Sequence, residues 1–146
     1  MSSETPKGVI RFDGYRLTDF DYVCSSGFEF PADQERNYNM RIQKKTERLT
    51  DQTMQVELKV SVFWSDNDDY DNAPFKVFAS LVGRFTSDSQ IDLKWETNAI
   101  AILFPYVRSI ITSFTSQTGR EPVILPTINV AALLKSEAAK QESEKE

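Results

Sequence analysis

Residues 54–64 read MQVELKVSVFW, and they carry the clearest structural pattern in the chain. Apolar side chains occupy every second position from Met54 to Trp64 and alternate with mostly polar ones such as Glu57 and Lys59. A period of two predicts a β-strand with one buried face. Because a shift of one residue would expose that whole apolar face, the register of this strand is strongly specified.

Three other segments extend this pattern into a sheet. Residues 9–24 predict a strand that is bent or bulged at Gly14. Residues 38–49, YNMRIQKKTERL, alternate as a half-buried strand does, and residues 75–86, FKVFASLVGRFT, predict another with Gly83 as a bulge near its end. We expect an antiparallel meander of these four strands.

The acidic stretch SDNDDYDNAP, residues 65–74, superficially resembles a calcium-binding loop. Counted from Asp66, an EF-hand loop requires glycine at the sixth position and glutamate at the twelfth. Those positions hold Asp71 and Val77. The stretch therefore predicts an acidic turn and no metal site.

The last third of the chain changes to helical spacing. A wide apolar stripe predicts a long helix, and its members are Ile102, Leu103, Tyr106, Val107, Ile110, Ile111 and Phe114. Because proline is tolerated in a first turn and not deeper, Pro105 predicts that the regular helix begins near Leu103, with 98–102 irregular or kinked. Gly119 is a natural stop.

A second helix is predicted after an extended, proline-bounded apolar segment, REPVILPTI, at residues 120–128. Asn129 is a suitable N-cap, and Ile128 and Leu133 hold the positions of a hydrophobic staple. We expect a flexible N-terminus at 1–8, one domain at 9–137 and a charged flexible tail at 138–146. The fold class is α+β: a four-stranded antiparallel sheet followed by a long helix and a C-terminal helix.

Composition excludes several classes of protein. There is no histidine, and the single cysteine, Cys24, lacks a partner for catalysis or metal binding. Carboxylate chemistry stays open, but the acidic residues are scattered; we expect no enzyme, cofactor or metal. The net charge of -5 disfavours nucleic acid. Without a membrane-length apolar run or a secretory signal, and with one cysteine, we expect a cytoplasmic location.

The helix is apolar over more than one stripe, since Ala99, Ile100 and Phe104 are also apolar. One long helix cannot cover both faces of a sheet, so a monomer would leave apolar surface exposed to water. Such a surface usually marks an interface. We therefore expect a homo-oligomer built on helix or sheet-edge contacts. The helix residues expected at the subunit interface are Tyr106, Val107, Ile110, Ile111 and Phe114.

Two adjacent motifs resemble one known family. ILFPYVRSIITSFTS at 102–116, followed by PVILPTINVAALL at 122–134, is similar to the SecB-type protein-export chaperones. Those proteins share an ILFPYxR helix start, a proline-bounded apolar segment, an asparagine N-cap and an Ala-Leu pair. The strands match the family in layout.

The resemblance implies a holdase without enzymatic activity. Such proteins are tetramers, dimers of dimers, that bind unfolded presecretory chains in apolar grooves and transfer them to the translocase motor SecA. The resemblance also implies which residues bind the client. They lie in the loop before the second strand, in the second strand and in the C-terminal segment: Phe28, Phe30, Tyr38, Met40, Ile42, Leu125, Ile128, Leu133 and Leu134.

Motor binding in the family uses acidic residues on the exposed sheet face, which implies Asp19 and Asp21 here. At the next position where the family has an acidic residue, this chain has Val23. Where the family has a glutamate in the fourth strand, this chain has Phe78 or Ala79. Some SecB-like proteins serve one antitoxin in a toxin–antitoxin module. A dedicated chaperone of a single client and a purely structural oligomer are therefore the alternatives to a general export chaperone, and an enzyme or small-ligand protein comes last.

Overall fold

The computed structural model describes residues 10–29, 38–65 and 69–125 and the single positions 132 and 135. A four-stranded antiparallel sheet is followed by a 3₁₀ turn and one long helix, which confirms the predicted fold class. The elements are β1 (Ile10–Cys24), β2 (Asn39–Thr50), β3 (Thr53–Trp64), β4 (Phe75–Ser87), the 3₁₀ turn (Leu93–Trp95) and α1 (Glu96–Thr115). In the region of the predicted C-terminal helix, Ala132 and Lys135 are helical.

The strand order is β1-β4-β3-β2, so the predicted meander is wrong for the first strand. Strands β2, β3 and β4 follow one another as hairpins, but β1 pairs with β4, which is a Greek-key arrangement. The apolar face of β1 explains this pairing, because Phe12 and Phe20 align with Phe85 and Ala79 of β4. Alternation within a strand indicates a buried face and says nothing about which strand lies beside it.

The core lies between one face of the sheet and α1. The alternating apolar residues of β3, Met54 to Val62, are fully buried, as the sequence pattern predicts. They are aligned in register with the inward face of β4, where Leu58 lies beside Leu81. From α1, the sheet receives Ala99, Ile100, Leu103, Phe104, Val107 and Ile111.

The opposite, outer face of the sheet is mostly polar, so it needs no covering helix. Phe63 is an exception, because it points outward from β3 and is nevertheless fully buried. Tyr70, from the loop between β3 and β4, meets the Phe63 ring edge-on at 5.2 Å, and the Arg41 guanidinium lies 5.1 Å from the centre of that ring. This loop therefore covers the apolar side chain that interrupts the polar face.

Replacing Tyr70 with alanine should lower the free energy of unfolding by about 1–3 kcal/mol, because Phe63 loses its ring contact with Tyr70 and becomes exposed to water. The contacts of Arg41 and Lys76 with the Tyr70 ring are lost as well. Urea unfolding measures the change. Asp71→Ala, an exposed position in the same loop, is the matched control and should change stability by less than about 0.5 kcal/mol. Equal stability of Tyr70→Ala and the wild type would show that Phe63 is shielded in another way.

Strand β1 contains two register shifts, one between Phe12 and Gly14 and one between Leu17 and Asp19. The first confirms the bulge predicted at Gly14, where φ is 125°. Each bulge adds one residue and reverses the parity of inward-facing positions. The residues of β1 aligned with the inward face of β4 are consequently Ile10 and Phe12, then Tyr15 and Leu17, then Phe20, Tyr22 and Cys24.

Helix α1 begins at Glu96, seven residues before the predicted start at Leu103, and Pro105 lies inside it. Pro105 cannot donate a hydrogen bond to the carbonyl of Ala101. Both residues are exposed, so water can hydrate that carbonyl and the helix tolerates the proline. The helix ends at Thr115, and Gly119 follows with a φ of 85°.

The predicted bulge at Gly83 is absent, since pairing with both neighbouring strands runs through it without a shift. Glycine at position 83 has a different structural role. A Cβ added at position 83 would lie 2.6 Å from Leu103 Cδ2. Glycine here allows α1 to pack closely against β4.

Candidate functional site

One end of the inward face of the sheet carries a group of large side chains that we call the aromatic corner, made of Phe28, Tyr38, Trp64 and Phe75, with Met40 two residues after Tyr38 and opposite Val62. The Phe28 ring lies 5.2 Å from the Trp64 ring and 6.2 Å from the Phe75 ring. Tyr38 lies 6.0 Å from Phe75. Phe75 is buried, whereas the other four members are only half-buried. The corner therefore presents adaptable apolar surface at the edge of the core.

Strand register and a tight turn build this corner. Trp64 ends β3, Phe75 begins β4, and the two are paired. Beyond β1 the chain turns, with Ser25 N donating to Pro74 O at 2.7 Å and Phe28 N donating to Ser25 O at 3.0 Å. Gly27 has a φ of 83° in this turn, a conformation that favours glycine. The turn directs Phe28 back against β3 and β4.

Of the predicted client-binding residues, Phe28, Tyr38 and Met40 lie in the aromatic corner. Ile42 and Leu125 are different, because only 4% and 1% of their surfaces are exposed. In the single chain both belong to the core, and their contact with a client stays a prediction. The predicted residues Phe30, Ile128, Leu133 and Leu134 lie outside the described residues.

Trp64 and Phe75 are members of the corner that the sequence reasoning missed. A signal for them exists, since they are aromatic residues at the two ends of the acidic turn 65–74. Residues that flank a hairpin connection are neighbours across the two strands. Two aromatics in these positions therefore predict a cluster at the end of the sheet.

The helix residues predicted at a subunit interface fall into two groups. Val107 and Ile111 are fully buried against the sheet of the same chain, so they do not offer surface to a partner. Tyr106 and Phe114 are 38% and 43% exposed, and Ile110 is half-buried. These three lie on the side of α1 that faces β1.

A row of aromatic contacts joins that side of α1 to β1. The Tyr106 ring lies 4.6 Å from the Tyr15 ring, and the Phe114 ring lies 4.4 Å from the Phe20 ring. Leu17, between these pairs on β1, is 46% exposed. Partly exposed aromatic and aliphatic groups thus form a continuous seam along the first edge strand.

The described part of the segment after α1, up to Leu125, is held against the helix by two hydrogen bonds. Thr112 Oγ1 donates to Val123 O at 2.8 Å, and Val123 N donates to Thr115 Oγ1 at 2.8 Å. Val123 and Leu125 consequently point into the core, whereas Ile124 is 61% exposed. Ile124 borders a groove of about 360 Å³ along α1 that also includes Pro105.

The predicted motor-binding residues Asp19 and Asp21 are exposed on the outer face of β1. They are paired with Ser80 and Phe78 of β4. Within the described ranges, no three His, Cys, Asp or Glu side chains are grouped so that they could hold a metal ion. None of the described helical segments has the length and hydropathy that a membrane span requires.

Residues 22–141 match the sequence profile of the family described as SecB, preprotein translocase subunit SecB. The uncharacterized protein MJ0357 of Methanocaldococcus jannaschii is 27% identical over 144 residues, which cover 94% of this chain and 91% of that protein.

Among solved structures, the SecB-like chaperone Rv1957 of Mycobacterium tuberculosis, in complex with a ChAD peptide from the HigA1 antitoxin, is similar with a TM-score of 0.63. Its identity is 12%, and the alignment covers 82% of this chain and 90% of that chain. A Streptococcus agalactiae protein of unknown function aligns over 82% of this chain and 98% of its own, with 9% identity and a TM-score of 0.46. Because the family profile matches residues 22–141, this chain belongs to the SecB family, and its fold is similar to that of a SecB-like chaperone.

Proposed function

We propose that this protein is an ATP-independent holdase that binds unfolded polypeptides at the aromatic corner and keeps presecretory chains competent for translocation. The observation that carries this proposal is the half-buried apolar surface of Phe28, Tyr38, Met40 and Trp64 in a member of the SecB family. A site that accepts many sequences uses adaptable apolar contacts and few directional ones, and a thioether beside aromatic rings provides them.

The β2 edge adds a second source of affinity. Met40 lies on this edge strand, so its backbone groups on the open side can pair with an extended client while apolar side chains enter the corner. Main-chain pairing is independent of sequence, which suits a general chaperone. Membership in a family of translocase subunits also fits a protein without catalytic activity.

The size of the effect limits what such a protein can do. At a concentration about 100 times its dissociation constant, one site stabilises an unfolded client by about 2.7 kcal/mol. Native domains are stable by roughly 5–15 kcal/mol. The protein therefore captures slowly folding chains before they fold, or holds one long chain at several sites.

Light scattering tests this function. A slow-folding secretory precursor, unfolded in denaturant and diluted into buffer, should aggregate less when the protein is present at near-stoichiometric amounts without ATP. Addition of ATP should make no difference. Undiminished aggregation, together with no binding to any unfolded chain, would contradict a general holdase.

A dedicated chaperone of a single client is the second candidate. It is favoured by the similarity in fold to Rv1957, which was determined with a peptide from the HigA1 antitoxin. In that case the protein should leave aggregation of secretory precursors unchanged and protect one particular partner. The SecA motor belongs to the first candidate, with Asp19 and Asp21 on the outer face as its contact residues.

We also propose a cytoplasmic homo-oligomer, a tetramer built as a dimer of dimers. Its support is the exposed seam of α1 and β1, where Tyr106, Phe114 and Leu17 remain partly accessible in the single chain. Burial of these side chains between subunits would remove a contiguous apolar area from water. A purely structural oligomer would bury the aromatic corner as well, and would then bind little hydrophobic dye in its assembled form.

A further inference from the structure

Two arginines, Arg16 and Arg84, lie close together on the outer face of the sheet. Arg84 of β4 is paired in register with Gly14 of β1, and Arg16 is paired with Val82. The two guanidinium groups therefore occupy diagonally adjacent positions on one face. Among the residues that the structure describes, neither has an ion pair or a side-chain hydrogen bond.

These arginines border a concavity of about 510 Å³, which we call the arginine concavity. Gly14 contributes no side chain to fill it, and Gln55 and Val82 also line it. The concavity thus offers two guanidinium groups and an amide as hydrogen-bond donors beside one apolar side chain.

Asp13 also lines the arginine concavity, but its carboxylate is already engaged. It accepts a hydrogen bond from the Thr86 hydroxyl and lies 3.2 Å from Arg11 Nε. The hydrogen bond from Thr86 lowers the pKa of Asp13, and the Arg11 guanidinium lowers it further. The ionised Asp13 is therefore committed to Arg11 and Thr86 and leaves Arg16 and Arg84 available.

Like charges close together on one face of a sheet repel each other, and an anion bound between Arg16 and Arg84 would relieve that repulsion. The chain has 22 acidic and 17 basic residues, yet within the described ranges neither Arg16 nor Arg84 forms an ion pair with a carboxylate. Arginine matches carboxylates with a planar pair of N–H donors, which gives both affinity and orientation.

The charges around the concavity restrict the kind of anion. Asp19 and Asp21 are exposed further along the same face of β1. Glu57 lies on the same face of β3, where its carboxylate is 3.4 Å from Lys59 Nζ. A long phosphate backbone would have to pass these carboxylates and would be repelled by them, whereas an acidic segment short enough to contact only Arg16 and Arg84 avoids most of that repulsion.

We propose that the arginine concavity docks a short acidic segment of a partner polypeptide. This site lies on the face of the sheet opposite the aromatic corner, so it goes beyond the proposed client binding and leaves the client surface free. A partner held there can be bound together with a client, which gives the protein two separate polypeptide-binding faces.

Fluorescence anisotropy with a labelled peptide of alternating glutamate and alanine tests the proposal, with a lysine–alanine peptide of equal length beside it. The acidic peptide should bind the full-length protein and dissociate as salt is raised, and the basic peptide should not bind. Arg16→Glu combined with Arg84→Glu should weaken binding by about tenfold or more. Because both side chains are exposed, the variant should retain its circular dichroism spectrum.

Arg120→Glu/Lys94→Glu, with the same change in net charge outside the concavity, is the control and should keep the wild-type affinity. Equal loss of binding in both double variants would mean that overall charge alone attracts the peptide, and would overturn the proposal. Binding of a single-stranded oligonucleotide in place of the acidic peptide would overturn it too. Aggregation assays on the Arg16/Arg84 variant separate this site from the holdase function, which should be unchanged.

Discussion

Replacing Gly83 with valine should lower the free energy of unfolding by about 1–3 kcal/mol, because the new side chain overlaps Leu103. Leu103 is fully buried between α1 and the sheet, so its movement disturbs the packed core. Urea unfolding measures the loss, and the melting temperature should fall by about 2–4 °C per kcal/mol. Ser61→Val, which adds a β-branched residue on the outer face of β3, is the control.

A double-mutant cycle tests the cause of this loss. Leu103→Ala alone should cost about 2–5 kcal/mol because it leaves a cavity. Combined with Gly83→Val, the valine side chain enters part of that cavity, so the two losses should fall short of additivity by about 0.5–3 kcal/mol. Strictly additive losses would show that the close approach of Leu103 to position 83 is not the source of the strain.

Two neighbouring inward-facing residues of β2 should respond differently to the same substitution. Ile42→Asp places a carboxylate in the core at a position only 4% exposed, and the loss of several kcal/mol should leave the protein unfolded or aggregated. Met40→Asp, at a half-buried position of the aromatic corner, should preserve the fold and the oligomer but weaken client binding. A reduced and carboxymethylated polypeptide with a fluorescent label serves as the client.

Gln43→Asp, on the outer face of the same strand, is the matched control and should change neither folding nor client binding. Circular dichroism melting and size-exclusion chromatography separate folding from assembly. If Met40→Asp dissociates the oligomer while client affinity per folded chain is unchanged, the corner is a subunit contact. If Ile42→Asp folds normally, the core position assigned to Ile42 is wrong.

Local patterns predicted the elements of this fold well. The alternation in 54–64 identified β3 and its buried face, since the direction of each side chain in a strand depends only on its position in that strand. The bulge at Gly14 was also visible as an interruption of the period. The second bulge, beside Thr18, has no glycine to mark it, and only pairing with β4 reveals it.

Features that depend on other parts of the chain were predicted poorly. The partner of β1 is chosen by the apolar face of β4, more than fifty residues later, so chain order gave a meander where a Greek key exists. The start of α1 was placed too late because the cost of Pro105 depends on exposure of Ala101, which a sequence does not state. Propensity is a weak guide wherever tertiary context decides.

In the candidate site too, the local pattern was predicted correctly and the effect of the surrounding structure was not. Phe28, Tyr38 and Met40 were predicted and lie together in the aromatic corner. Ile42 continues the alternation of Met40 and is nevertheless in the core. Along a strand that crosses from the edge of a layer towards its middle, residues of one face pass from surface to interior, and periodicity cannot locate that transition.

The Greek-key order also has a consequence for synthesis of the chain. Strand β1 leaves the ribosome first, but β4, its neighbour in the sheet, is complete only at Ser87. At about 5–20 residues per second, roughly 3–13 s separate the translation of Cys24 from that of Ser87. During that interval the aromatic side chains of β1, including Phe20 and Tyr22, have no strand to pair with. Each new copy of this protein is therefore, for some seconds, a nascent polypeptide with unprotected apolar side chains.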